Sequence, residues 1–341
     1  MVAYTIGDVT ALPGSTASGT LIVGAPGLQT RGQDSTTIPF TIVHGTRPGA
    51  VLALVAGTHG SEYVPIIALQ RLRAAIDPAT LSGTILMVHV ANMPSFLSRT
   101  VYYSPSDGQN LNRVFPGKPD GTLSERIADV ITREIIARAT HVADLHGGDG
   151  NESLRPYSYW ITTGAEDVAE QSRAMALAFG LEYIVVDHSR PTDPAKSSFL
   201  SNTAILRGKP AITTETGDRS RVDEDMVTLV ERGVAGLLKH LGMRADGPPP
   251  VAAAHWIDKE QVLRADVTGM FYPAVVKGQM VEPGDPIGRI TDFHGHTLES
   301  ITAPFAGEIL YVVDTPPITK GEPVGMVGTI TPPLPYPGTI P

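Results

Sequence analysis

An α/β domain with a largely parallel sheet, followed by a small all-β module, is what this 341-residue sequence predicts. Three observations point there. Short continuous apolar runs alternate with segments of helical periodicity between about residues 50 and 243. The runs are apolar on both faces, as in strands covered by helices. Helical periodicity then stops at "RADGPPPVAAAHW" (244–256), where the prolines and the alanine run read as a linker.

Taken in order, residues 1–50 carry short strands, "GTLIVG" and "TTIPFTIVHG", bounded by Gly, Pro and Ser. "AVLALVAG" (50–57) reads as a buried strand and "VPIIALQRLRAAI" (64–76) as the helix after it. "GTILMVHVAN" (83–92) is a second buried strand. "LSERIADVITREIIARA" (123–139) is an amphipathic helix with Ser124 as its expected cap and Ile127, Val130, Ile131 and Ile135 as its buried stripe. "HVADLHGG" (141–148) is a short strand. "EDVAEQSRAMALAFG" (166–180) is a helix closed by Gly180. "EYIVVD" (182–187) and "PAITTETG" (210–217) are strands. "DEDMVTLVERGVAGLLKHLGM" (223–243) is a helix with acids in its first turn, where the dipole favours them. These elements set the expected domains: 1–250 α/β, and 256–335 all-β, built of short strands between Gly and Pro turns.

Composition narrows the function. Asp and Glu outnumber Lys and Arg by 35 to 26, a net charge of −9 that argues against nucleic acid as a partner. There is no cysteine, so any metal must be held by His, Asp or Glu. The start "MVAYTIGDVTALPGS" lacks the pattern of a secretory signal, and no apolar run reaches the about 18 residues of a membrane span. The expectation is a cytoplasmic enzyme with no membrane partner; homo-oligomerisation stays open.

Ligands of open α/β sheets bind beyond the carboxyl ends of strands, and four polar clusters sit at such ends. His59 and Glu62 follow the first buried strand on a turn containing Gly57 and Gly60. His146 ends "ADLHGG", with Asp144 on the same strand face and placed to hydrogen-bond a ligating imidazole. Glu215 ends "PAITTETG". Asn110, Asn112 and Arg113 lie on the loop "SPSDGQNLNRVFPG" (104–117), and a guanidinium beside a carboxamide suits a carboxylate. Each has a plainer reading alone: a polar loop, a core histidine, an exposed strand end, a loop arginine paired with Asp120. Together, two histidines and one glutamate make a His2Glu set, the composition of a catalytic zinc site with one position left for water. Glu215 facing that water would serve as general base.

"GTHGSE", "NLNRVFPG", "DLHGG" and "ETG", in this order, resemble the succinylglutamate desuccinylase/aspartoacylase family, a branch of the zinc carboxypeptidase-like hydrolases. The resemblance spans about residues 40–335. It implies a mixed, mostly parallel sheet with helices on both faces. It implies one zinc ion on His59, Glu62 and His146, Glu215 as catalytic base, and Asn112 and Arg113 as the grip on the substrate's carboxylate. The implied reaction is hydrolysis of the amide bond of a small N-acyl amino acid. The "NRVFPG" loop is similar to that of relatives acting on acetylated diaminobutyrate. A further arginine usually polarises the scissile carbonyl; Arg99 is the candidate here, with Tyr102, Tyr103 or the metal alone as the alternative. The acyl pocket is expected in "VDHSRPTDPAKSSF" (186–199).

The C-terminal module resembles the biotinyl-lipoyl fold, but its hairpin tip "DFHGHTLES" lacks the lysine a carrier domain modifies. It reads as a structural module beside the site mouth, with His294 and His296 as polar tip residues. Two rival functions remain at this point, a carboxypeptidase acting on peptides and a catalytically inactive metal-binding protein.

Overall fold

The computed structural model describes residues 2–24, 35–250 and 255–332. Its main sheet begins at the strands Ser15–Val23 and Thr36–His44, then runs Ser82–Val88, Arg47–Ala56, His141–His146, Ala211–Glu215, Tyr157–Ile161 and Tyr183–Asp187. Arg47–Ala56 is parallel to both of its neighbours, and Ala211–Glu215 is parallel to His141–His146. Tyr157–Ile161 is antiparallel to Ala211–Glu215, which makes the sheet mixed as expected. That strand is absent from the reading of the sequence.

Period-two alternation places helices on both faces. Leu52, Leu54 and Ala56 pack with Leu69 of the Tyr63–Ala75 helix, Phe179 of Glu166–Phe179 and Leu237 of Glu224–His240. Ala53 and Val55 face the other way, onto Ile127 and Ile131 of the Leu123–Glu134 helix. Gly180 closes the Glu166–Phe179 helix at φ +84°, and Glu224 and Asp225 occupy the first turn of their helix. The cap of Leu123–Glu134 differs from expectation. Thr122 accepts from Glu125 N while Glu125 reaches back to Thr122 N, a capping box; Ser124 instead donates to Asp107.

The expected linker is partly strand. Residues 251–254 lie outside the described residues, but His255–Arg264 begins by pairing in parallel with Tyr183–Val185 through His255, Trp256 and Ile257. It then runs antiparallel to Pro323–Thr331. The β module is therefore continuous with the main sheet. A four-stranded sheet (Gly269–Pro273, Pro286–Thr291, Thr297–Thr302, Pro317–Ile318) packs with the end of the main sheet around Phe271, Ile290 and Val327. The expected end of the module, 333–335, lies outside the described residues.

Candidate active site

Three neighbouring parallel strands end at one edge of the sheet: Arg47–Ala56, His141–His146 and Ala211–Glu215. In register, Ala56 lies beside Leu145 and Glu215 beside His146. Topology alone therefore gathers the loop after Ala56, His146 and Glu215.

Gly57 turns that loop at φ +70°, and its carbonyl accepts from Asn92 N at 2.8 Å. Gly60 lies flat against the helix Met93–Ser98; a Cβ there would sit 2.1 Å from Phe96 N. Glu62 then takes the N-cap position of the Tyr63–Ala75 helix. The result is a converging set. His59 Nδ1 is 2.7 Å from Glu62 Oε1, and His146 Nδ1 is 2.9 Å from Glu62 Oε2. One ligand atom from each of the three residues lies within 4.8 Å of the others. Glu62 Oε2 is buried and makes no properly directed hydrogen bond among the described residues. A buried carboxylate whose two oxygens each face an imidazole nitrogen, one of them without a directed hydrogen bond, is chemistry that a divalent cation satisfies, so the residues fit a metal.

The far nitrogen of each ring is braced. His146 Nε2 lies 3.1 Å from Asp144 Oδ2. Thr58 Oγ1 (3.3 Å) and Asn112 Nδ2 (3.4 Å) donate to the same carboxylate. His59 Nε2 is 3.1 Å from Asn110 Oδ1, which also accepts from Asn112 N at 2.9 Å. Bracing Nε2 leaves both Nδ1 atoms facing the shared point.

The electrostatics agree. Burial opposes charge on Glu62, yet His146 and His59 pull its pKa down to about 2. Burial likewise opposes charge on His146, but Asp144 and Glu62 lift it well above the usual histidine value. Glu215 goes the other way: burial raises its pKa well above the carboxylate range, and Glu62 and Glu152 add repulsion while His146 opposes them.

A cavity of about 270 Å³ opens over this cluster. Its walls include His59, Glu62, Glu215, Asn110, Arg113 and Tyr102, with Arg264 and Tyr311 contributed by the β module. Arg113 and Arg190 both lie on the Phe199 ring, at 4.5 and 3.7 Å from its centroid, so the 186–199 segment backs the guanidinium that faces the cavity.

Two expected site residues sit elsewhere. Asn112 is buried behind His146, where its Oδ1 accepts from Leu200 N at 2.9 Å; both ends of its carboxamide are engaged, and it does not line the cavity. Arg99 is exposed at the left-handed C-cap of the Met93–Ser98 helix, φ +55°, and does not line the cavity. Reasoning from sequence missed Glu152, Tyr157, Tyr159 and Arg264, all cavity-lining. Arg264 had no signal, because it reaches the site only through the pairing of His255–Arg264 with the catalytic sheet.

Residues 48–241 match the succinylglutamate desuccinylase/aspartoacylase catalytic domain. This chain belongs to that family of deacylases. It is 33% identical over 266 residues to N-alpha-acetyl-L-2,4-diaminobutyric acid deacetylase from Halomonas elongata, across 75% of this chain and 74% of that protein. Among solved structures, a succinylglutamate desuccinylase/aspartoacylase from Rhodobacter sphaeroides superposes with a TM-score of 0.78 at 26% identity, over 93% of this chain and 96% of that one. The product-bound ectoine utilization protein EutE (DoeB) from Ruegeria pomeroyi shares the fold, with a TM-score of 0.80 at 24% identity, over 92% of this chain and 95% of that one. Among the described residues, no helix is long and apolar enough to cross a membrane.

Proposed function

We propose that this protein is a zinc-dependent hydrolase that cleaves the amide bond of a small N-acyl amino acid in the cytoplasm. The observation that carries the reading is the convergence of His59 Nδ1, Glu62 and His146 Nδ1 on one point, with Glu215 beside them at the cavity wall. His59, Glu62 and His146 would hold the ion, which when bound supplies the Lewis acidity that makes water nucleophilic near neutral pH.

The remaining work falls to side chains of this chain. Glu215 accepts a proton from the attacking water. As the C–N bond breaks, it returns that proton to the departing amine, leaving a carboxylate and a free amino acid. Arg113 grips the carboxylate of the amino-acid half, and Asn110 holds His59 while facing the same cavity. Fixing one end of the substrate makes the attack effectively intramolecular. A cavity of about 270 Å³ suits an acylated amino acid and is cramped for a peptide, which disfavours the carboxypeptidase reading.

The Halomonas elongata relative places N-α-acetyl-L-2,4-diaminobutyrate first in a panel of N-acetyl and N-succinyl amino acids, run against blocked dipeptides. Turnover confined to acyl amino acids, lost on chelation and restored by zinc, is the expected result. Glu215→Gln should lower kcat at least about 100-fold with zinc content unchanged. Dipeptide cleavage as the main activity, or loss of zinc in that variant, would overturn the assignment.

A further inference from the structure

Two guanidinium groups share the Phe199 ring, and only one of them is neutralised. Arg190, 3.7 Å from the ring centroid, pairs with Asp187, whose Oδ1 also accepts from Ser189 N at 2.9 Å and from the Ser189 hydroxyl at 2.8 Å. Asp187 ends the Tyr183–Asp187 strand, so this guanidinium is tied to the main sheet. Arg113, 4.5 Å from the same centroid, donates through Nη1 to the Asn112 carbonyl at 2.7 Å and pairs with no carboxylate among the described residues. Of the two, it is Arg113 that lines the cavity.

The ring is held against the loop that carries Arg113. Ser198 N donates to Phe115 O at 2.8 Å, and Phe115 N donates to Ser198 O at 3.3 Å. Leu200 N donates to Asn112 Oδ1 at 2.9 Å. The residues before and after Phe199 are thus bonded to residues on either side of Arg113. Ser198 reaches this arrangement at φ +64°, a left-handed conformation that a non-glycine residue keeps only where its surroundings over-determine it. Arg190 also lies 5.5 Å from the centroid of the Tyr159 ring, a cavity wall, so rings and cations alternate from Tyr159 through Arg190 and Phe199 to Arg113. An aromatic face attracts a guanidinium and orients it while leaving its charge and its N–H edge unclaimed. A carboxylate partner would orient it too, but would occupy the donors that a substrate carboxylate needs.

We propose that Phe199 is a positioning residue: its ring holds Arg113 ready for the carboxylate of the amino-acid half, and so sets the affinity for substrate without touching it. Phe199 is not itself among the cavity walls. The contact exists before substrate arrives, so it acts by preorganisation and not as a new contact in the complex. Freed of the ring, Arg113 must be ordered at binding, and ordering one such side chain costs about 2- to 12-fold in affinity. The segment 186–199 thereby serves the amino-acid end of the substrate. This rests on the hydrolase reading above.

The test uses the zinc-loaded full chain and the best substrate of the acyl amino acid panel. Phe199→Leu should raise KM about 2- to 12-fold, with kcat within about twofold of the parent and zinc content unchanged. Phe199→Tyr, which keeps the aromatic face, should keep the parent KM. In an Arg113→Ala background, Phe199→Leu should leave KM where Arg113→Ala alone puts it, because no guanidinium remains to be positioned. The parent KM in Phe199→Leu overturns the proposal. So does an equal rise in Phe199→Tyr, or a further rise of the same size on top of Arg113→Ala. A fall in kcat or zinc content without a rise in KM marks the ring as merely structural and overturns it as well. Should Phe199→Leu fail to fold, Phe199→Met, whose flexible side chain refills the space, supplies the same comparisons. An active Glu215→Gln would sink the hydrolase reading itself; a dead Glu215→Gln beside the parent KM in Phe199→Leu sinks this inference alone.

Discussion

Replacing Gly60 by alanine tests the geometry on which the site depends. The residue lies between His59 and Glu62, and its Cα faces the start of the Met93–Ser98 helix with no space for a side chain. An added Cβ would fall 2.1 Å from Phe96 N and 2.2 Å from Ser95 C, both backbone atoms. Ordinary contact begins near 3.4 Å, so loop and helix must separate by about 1.3 Å. Neither yields easily: Asn92 N donates to the Gly57 carbonyl at 2.8 Å, and Asn92 Oδ1 caps Ser95 N at 3.3 Å. Metal–ligand distances tolerate about 0.2 Å, several times less than the required displacement. His146, on its own strand, does not move with the loop. Zinc affinity should therefore fall at least about 10- to 100-fold and turnover about 100-fold, with an overpacking cost of about 1–3 kcal/mol. Competition with a chromophoric chelator reads the affinity, and thermal melting in chelator reads the fold. A variant that binds zinc as the parent does and melts at the same temperature would refute the close approach and the tie between loop and helix.

Two further outcomes are expected. Asn112→Ala removes a bond to Asp144 and strands the buried Leu200 N–H, so it should lower zinc affinity about 10-fold and stability by about 1–3 kcal/mol, whereas Arg113→Ala should raise KM with zinc content intact; the reverse pattern in metal analysis and kinetics would return Asn112 to the substrate. His89 is bonded to Thr41 Oγ1 at 2.8 Å, and burial, aided by Arg73, lowers its pKa to about 4. Its folded pKa lies below the unfolded value, so its contribution is full above about pH 6.5 and lost as pH falls towards 4. After allowing for the solvent that reaches the ring, about 2 kcal/mol of acid destabilisation should disappear in His89→Gln, measured as a smaller drop in chemical stability between pH 7 and 4.5. An unchanged drop would show the ring protonates freely in the folded state.

Residues whose environment is set by their own strand were legible in the sequence. His59, Glu62, His146 and Glu215 follow or end apolar runs, and parallel pairing brings such ends to one edge without further information. Asp144 behind His146 follows from strand alternation alone. Residues whose partners lie far along the chain were not legible. Asn112 looks like half of a carboxylate clamp until Leu200, 88 positions on, claims its carbonyl. Arg99 looks close enough to the Asn-Arg loop to serve, yet it is an exposed helix C-cap outside the cavity lining. Tyr157–Ile161 escaped because five residues with aromatics on both faces carry no clear period, and its antiparallel direction depends on the strands flanking it.

The β module is where this distinction bears on function. An all-β segment after a proline-rich stretch suggests an appendage on a flexible tether. The chain instead fastens it at several points. His255–Ile257 extends the catalytic sheet beside Tyr183–Val185, and Glu152–Leu154 pairs with Tyr311–Val313. Lys277 bonds Asp218 and Arg219 bonds Asp314, both on the segment that follows Glu215. Exposed ion pairs of this kind contribute little each, but two strand pairings between the same bodies fix their orientation. The wall that carries Arg264 and Tyr311 is thereby held in register with Glu152, His146 and Glu215. The cavity's dimensions on this side are then set by the strand pairing that fixes the module. On the proposed reading, a preference for small acyl amino acids would follow from the same hydrogen bonds that join the module to the main sheet.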